Sequence, residues 1–155
     1  MRPLLGLLQK GATPEKLAWS LAVGAAVGIN PLLGSTTVLA LALAAVFRLN
    51  VVASQIANHA AYPLQLLLFP VWIKLGSVVF HTAGLPLKRA ALLDAVQHHP
   101  WATTQALWTW EWHALCLWLV AMCICVPVFA WALTPVLRRA SGRVHASARR
   151  SQTSL

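Results

Sequence analysis

Long uncharged stretches are the feature that most constrains this chain. Leu17–Phe47, Leu49–Ile73 and Trp112–Leu137 contain no Lys, Arg, Asp or Glu, and they are 31, 25 and 26 residues long. About 20 apolar residues are enough to cross the hydrocarbon core of a bilayer. Apolar residues make up 59% of the chain and charged residues 10%, against roughly 45–50% and 25% in typical globular proteins. The pattern predicts an all-α, polytopic membrane helical bundle and excludes an ordinary soluble domain.

The first uncharged stretch is too long for one straight helix. At 1.5 Å per residue it would measure about 46 Å, whereas the hydrocarbon core is about 30 Å thick. Asn30-Pro31 marks a break, because proline cannot donate a backbone hydrogen bond and pushes the preceding residue out of helical geometry. With Asn30 as cap and Pro31 at the first helical position, the sequence predicts two half-helices, Leu17–Ile29 and Pro31–Phe47.

Changes of composition divide the rest of the chain. A basic entry at 1–16 ends with Thr13 as an expected helix cap, and a membrane domain at 17–81 holds two broken segments, the second interrupted between Asn58 and Pro63. Residues 82–112 form an amphipathic, tryptophan-rich region expected at the lipid–water interface, and 113–137 are expected to form a C-terminal transmembrane helix. The tail at 138–155 has five arginines and no acidic residue, so it is expected to be disordered and attracted to anionic lipid.

A series of short motifs resembles a known family. The chain reads Thr13-Pro14-Glu15-Lys16-Leu17-Ala18, then Gly28-x-x-Pro31-x-x-Gly34, Arg48-Leu49-Asn50, Asn58, Pro63 and Gly76. Over roughly residues 10–85 this order is similar to the domain-of-unknown-function 2062 family, short bacterial membrane proteins sometimes joined to glycosyltransferase-like or other enzyme domains. The family often has Asn-Pro at the second break, whereas here His59 follows Asn58. The resemblance implies a class and an architecture, and it supplies no catalytic residue.

Polar residues at membrane depth, next to the two breaks, form the candidate site. They are Asn30, Ser35, Thr36, Thr37, Asn58, His59, Tyr62 and Gln65. The first N–H groups of a half-helix lack partners within the helix, and in lipid they must be buried in protein or line a wet cavity. One interpretation is an anion or polar-substrate site of the transporter kind, with His59 and Tyr62 as a proton relay. The other is capping and interhelical hydrogen bonding beside closely packed glycines. In both, Asn30, Ser35, Asn58 and Gln65 face protein or a cavity.

The cations are expected to contact lipid headgroups. They are Lys74, Lys88, Arg89, Arg138, Arg139 and Arg143. Anionic lipid is therefore the expected partner, and nucleic acid is not. His98, His99, His113 and Glu111 do not have the spacing of a tetrahedral metal site, and no nucleophile–base pair is visible. We expect no metal, no cofactor and no enzymatic activity.

These observations favour an integral protein of the bacterial inner membrane whose molecular activity the sequence leaves open. Two classes remain: a small transport-like or permeation module, with a homo-oligomer as one form, and a non-catalytic envelope assembly or scaffold protein serving a glycan- or lipid-processing enzyme. The arginines of the tail and the cations of the N-terminus predict that both termini are cytoplasmic. Termini on the same side require an even number of crossings, whereas the three long segments counted once each give an odd number. One segment must therefore fold back on itself, and we expect Leu17–Phe47 to be this re-entrant segment.

Overall fold

In a computed structural model, residues 13–32, 34–82, 94 and 96–152 are described, with side chains as far as Ser141. The main helices of this part are α1 (Pro14–Gly28), α2 (Thr36–Val46), α3 (Val51–Ala60), α4 (Tyr62–Val79) and α5 (Pro100–Gln152), and residues 96–98 are also helical. No strand occurs within these ranges. The prediction of an all-α chain is confirmed.

Helix α1 begins where the sequence predicts and ends at the first glycine of the break. The Thr13 hydroxyl caps it by accepting a hydrogen bond of 3.3 Å from the Lys16 amide. The chain leaves helical geometry after Gly28, but the expected restart at Pro31 is wrong, since α2 begins only at Thr36. The Asn30 side chain accepts from the Leu32 amide instead of capping a helix, and Gly34 adopts φ +86°, so a turn takes up the residues after Pro31.

Helices α1 and α2 form a hairpin, and α3 then runs parallel to α1. The Asn50 amide donates to the Ser20 hydroxyl over 2.8 Å, so the chain has returned to the first half of α1 by the start of α3. Gly24 then lies against Ser54, and Gly28 lies against Asn58. Contacts four residues apart on both helices, in the same order, define a parallel pair.

The α1–α3 contact depends on the absence of side chains on α1. A Cβ atom added at Gly24 would lie 2.1 Å from the Ser54 carbonyl oxygen, and one added at Gly28 would lie 2.6 Å from that of Asn58. Small residues of this kind allow backbones to approach closely, the arrangement by which membrane helices associate without a hydrophobic driving force.

The second interruption is much smaller than the first. Ala61 separates α3 from α4 and itself has helical dihedral angles (φ −80°, ψ −10°). Backbone hydrogen bonds of 3.0 Å from Ala61 to Ala57 and from Gln65 to Ala61 carry the ladder across it. The expected break from Asn58 to Pro63 is therefore corrected to one residue, because Pro63 lies in the first turn of α4, where its missing N–H costs little.

Helix α5 packs antiparallel to α1 and also contacts the end of α4. The Trp118 indole donates to the Ala26 carbonyl over 3.1 Å, and twenty residues further along α5 Arg138 reaches Glu15 at the start of α1. On α4, Gly76 lies against the backbone of Ala114. Within the described ranges, Tyr62–Val79 and Pro100–Ser141 are long and apolar enough to cross a membrane.

The structure divides the C-terminal half differently from the sequence. One helix runs from Pro100 to Gln152, so residues 100–112 are not separate from the expected span at 113–137. Residues 138–152 are helical where disorder was expected, and the alanines and arginines of this tail have high helix propensity. Most of the expected amphipathic stretch at 82–97 lies outside the described residues.

Candidate functional site

Four of the polar residues singled out in the sequence meet where the hairpin turns; we call Asn30, Ser35, Asn58 and Gln65 the polar tip. Asn30 and Gln65 are fully buried, and Asn58 is 3% exposed. The Gln65 side-chain amide donates to the Asn30 carbonyl over 2.8 Å, and that of Asn30 to the Ser35 hydroxyl over 3.4 Å. The break of the first segment and the helix after the second one are thus joined by side-chain hydrogen bonds.

Later helices supply the donors that cap the C-terminal end of α1. The last carbonyl groups of a helix lack partners within it. Here the Trp118 indole donates to Ala26, the Trp72 indole donates to Ile29 over 3.1 Å, and Gln65 donates to Asn30. Sequence reasoning missed both tryptophans, although an indole N–H inside an apolar run indicates a hydrogen-bond partner.

Buried side-chain oxygens without hydrogen-bond partners lie in the polar tip and next to it. The Asn58 Oδ1 and Gln65 Oε1 atoms are buried and have no hydrogen-bond partner within the described residues, and the same holds for the Ser54 hydroxyl. These three residues lie four and seven positions apart along α3 and α4, so they share one helix face. We call Ser54, Asn58 and Gln65 the acceptor row. It faces α1, whose C-terminal end carries negative partial charge.

This electrostatic character differs from the expected anion site. That hypothesis placed a helix N-terminus at Pro31, with its N–H groups aimed at a substrate. Instead, α1 ends beside Asn30 with its carbonyl groups, and α2 begins at Thr36, beyond the turn. The buried atoms around Asn30 therefore suit a hydrogen-bond donor or a cation better than an anion.

The remaining candidates of the polar site do not join the polar tip. Thr36 is buried at the start of α2, whereas Thr37, His59 and Tyr62 are exposed. The Nδ1 atom of His59 lies 2.8 Å from the Gln55 carbonyl one turn earlier on its own helix. A relay from His59 through Tyr62 to the buried amides therefore finds no geometric support.

Only some of the expected headgroup cations can be placed. Lys74 and Arg139 are exposed, while Lys88 and Arg89, and the side chain of Arg143, lie outside the described residues. The Arg138 Nε atom donates to Glu15 Oε1 over 2.8 Å. Hydrogen bonding to its own backbone amide at the start of α1, and then the Arg138 guanidinium, hold the pKa of the Glu15 carboxyl below its ordinary value of 4.5.

His98, just before α5, and His113, on α5, lie in different surroundings. The His98 ring lies 3.2 Å from the Asp94 carboxylate, and His113 stacks on Phe80 with ring centroids 4.2 Å apart. Where the structure describes the chain, no three His, Cys, Asp or Glu side chains come together as metal ligands.

Sequence reasoning expected close packing at Gly24 and Gly28 but missed Ser20, which lies on the same face of α1. Ser20 is fully buried, donates to the Lys16 carbonyl and accepts from the Asn50 amide. With Gly24 and Gly28 it forms a stripe of small residues four positions apart, a recurring signature of helix contact in membranes. This spacing could have identified the contacting face of α1, but not its partner helix.

Comparisons with known proteins agree with the resemblance found in the sequence. No curated protein and no solved structure matches the chain. A family model described as an uncharacterized protein conserved in bacteria (DUF2062) matches residues 4–150. The match extends well beyond the motifs of residues 10–85 and takes in most of α5, so the chain belongs to the DUF2062 family.

Proposed function

We propose that this chain is an integral protein of the bacterial inner membrane that forms a transport-like site for a small solute. The solute is a monovalent cation whose ligands are the side-chain oxygens of the acceptor row. The observation that carries this proposal is the set of unpartnered oxygens of Ser54, Asn58 and Gln65.

Leaving these buried oxygens without donors is energetically costly. A buried polar group without a hydrogen-bond partner costs about 1–3 kcal/mol, and structures seldom keep such groups without a reason. A bound donor or cation would offset that cost. Neutral amide oxygens resemble the backbone carbonyls by which ion channels replace the hydration shell of a monovalent cation, which supports a solute of low charge.

The proposed membrane placement has two crossings and a re-entrant hairpin. The length of α5 supports one crossing, and α4, which continues the helix ladder of α3, supports the other together with α3. The return of Asn50 to the level of Ser20 supports a hairpin that enters and leaves on the side of the N-terminus. Both termini are then cytoplasmic, and the start of α5 is periplasmic. A reporter active only in the periplasm should work after Pro100 and fail after Leu155, and activity at the second fusion contradicts this topology.

Flux into liposomes tests the transport-like site. The purified full-length chain is reconstituted, and uptake of Na⁺, K⁺ and ammonium is followed separately against protein-free vesicles. Asn58→Leu keeps the side-chain size but removes the unpartnered acceptor, so uptake of the transported solute should fall by about tenfold. Gln105→Met is the matched control, because Gln105 is an exposed residue of α5. Uptake no faster than in empty vesicles for all three solutes, or equal uptake by wild type and Asn58→Leu, rejects the proposal.

The alternative function is a membrane scaffold that holds a glycan- or lipid-processing enzyme. The capping of α1 by Trp72, Trp118 and Gln65 favours it, because three side chains from later helices fix the hairpin in one arrangement. Recovery of one enzyme in stoichiometric amounts with the affinity-purified chain, together with an absence of flux, would support this second function.

A further inference from the structure

An elongated crevice runs along one side of the contact between α1 and α5. Its inner part has a volume of about 550 Å³ and lies between α1, the end of α2 and α5, with Val23, Leu43 and Met122 among its walls. Its outer part, also about 550 Å³, ends at Glu15 and Arg138. Trp19 and Pro127 line both parts. The two volumes therefore adjoin and form one crevice, which we call the α1–α5 crevice.

Side-chain hydrogen bonds join α5 to α1 at both ends of the crevice. Contact is made at Trp118 with Ala26 and at Arg138 with Glu15, twenty residues apart on α5. Between these points Pro127 and Pro135 interrupt the hydrogen-bond ladder of α5. Medium-sized side chains of α5, such as Cys123 and Val126, line the crevice.

The two ends of the crevice differ in chemistry. The inner walls are aliphatic and aromatic side chains. The outer end carries the carboxylate of Glu15, the guanidinium of Arg138 and the indole rings of Trp19 and Trp131. Tryptophans concentrate at the headgroup level of bilayers. An apolar trough with a charged, tryptophan-lined mouth matches an acyl chain attached to a polar headgroup.

The charges at the mouth select the headgroup. Guanidinium groups bind phosphate oxygens with two parallel hydrogen bonds, and a carboxylate accepts from a primary ammonium. The side chains of Arg138 and Glu15 are 64% and 43% exposed, and exposed ion pairs contribute little stability. The pair can therefore open so that each member binds the opposite charge of a zwitterionic headgroup.

We propose that the α1–α5 crevice binds one phosphatidylethanolamine molecule, with an acyl chain in the apolar part, the phosphate on Arg138 and the ammonium on Glu15. This inference rests on the membrane placement proposed above and is independent of solute passage. A lipid held there covers one side of the contact between the hairpin and α5.

Native mass spectrometry of the full-length chain tests the site. The purified protein is mixed with equal amounts of phosphatidylethanolamine and phosphatidylglycerol that carry the same acyl chains. Wild type should retain a single phosphatidylethanolamine adduct, preferred by about tenfold, which corresponds to one charge-assisted hydrogen bond. Glu15→Gln should remove the preference, and Arg138→Gln should weaken both adducts.

A filling substitution and its matched control locate the lipid. Cys123→Trp places a large side chain in the apolar part and should abolish the adduct. Val120→Trp adds the same side chain at an exposed position of α5 that does not line the crevice, so the adduct should remain. Equal adducts in both variants, or a preference for phosphatidylglycerol in wild type, overturn the proposal.

Photo-crosslinking gives a reading that does not depend on the folding of a variant. A phosphatidylethanolamine with a diazirine on its acyl chain is incorporated with wild-type protein into vesicles and irradiated. Crosslinks should concentrate on peptides that contain Val23 or Met122. Crosslinks confined to the outward face of α4, where Leu67 is exposed, contradict the site. If flux is absent but these crosslinks form, the solute proposal fails and the lipid proposal stands.

Discussion

Replacement of Gly24 by alanine should separate α1 from α3. The new Cβ would lie 2.1 Å from the carbonyl oxygen of Ser54 and 2.8 Å from its Cα and carbonyl carbon. Carbon and oxygen approach to about 3.3–3.6 Å in close helix contacts. The helices must therefore move apart locally by about 1 Å, because a backbone atom cannot rotate away as the end of a side chain can.

The expected loss of stability has three contributions. Overpacking of this kind costs about 1–3 kcal/mol. Weakening of the hydrogen bond from the Asn50 amide to the Ser20 hydroxyl, one turn away, costs about 1 kcal/mol. The higher helix propensity of alanine offsets about 1 kcal/mol of this loss. We therefore expect Gly24→Ala to lower the free energy of unfolding by about 1–3 kcal/mol.

Unfolding of the full-length chain in mixed micelles, followed by circular dichroism, measures this loss. The cost should decrease in the order Gly24→Ala, Gly28→Ala, Gly76→Ala, because the added Cβ would lie 2.1, 2.6 and 3.1 Å from its nearest neighbour. Adding Ser54→Gly to Gly24→Ala should not restore stability, since the obstructing atom belongs to the backbone. Restoration by Ser54→Gly, or wild-type stability of Gly24→Ala, would refute the reasoning.

Three further predictions concern the ends of α1. Because the pKa of the Glu15 carboxyl is lowered, the stability that its charge contributes is present at neutral pH and is lost as the pH falls through that pKa, below 4.5. The unfolding free energy of Glu15→Gln should not show this loss over the same pH range. Trp118→Phe keeps the aromatic ring but leaves the Ala26 carbonyl without its indole donor, so thermal unfolding should show a loss of about 1–3 kcal/mol, whereas Trp131→Phe, at an exposed position, should be nearly neutral. Thr13→Ala removes the cap of α1 and should cost about 1 kcal/mol, with Thr13→Ser close to wild type in the same assay.

The local features of the sequence predict the start of α1 and the interruption after it. The capping role of Thr13 and the helix start at Pro14 follow from rules that involve only neighbouring residues. Gly28 and Pro31 likewise mark a region where a helix cannot continue. The same local rules fail for the restart. The Asn30 side chain binds the Leu32 amide, so the residue expected to cap α2 is used in the turn that precedes it.

The partners of the buried groups depend on tertiary contacts that no local pattern contains. Gln65 and Trp72 are recognisable as polar groups inside an apolar stretch, but their acceptors lie 35 and 43 residues earlier. Continuity of α5 was missed for a related reason. Charge and tryptophan content divide 82–112 from 113–137, whereas the backbone hydrogen bonds of a helix ignore such changes of composition.

A residue far along the chain caps the C-terminal end of α1, so this cap forms late during synthesis. The indole of Trp118 is 92 residues beyond the Ala26 carbonyl that it binds. At about 5–20 residues per second, the ribosome needs roughly 5–20 s to supply it. During that interval the Ala26 carbonyl keeps its 3.4 Å hydrogen bond from the Ile29 amide but lacks its donor from α5, and poorly satisfied carbonyl groups are costly in hydrocarbon. In the membrane placement proposed above, we therefore expect the nascent hairpin to stay at a hydrated site, in the translocon or at the bilayer surface, until α5 emerges.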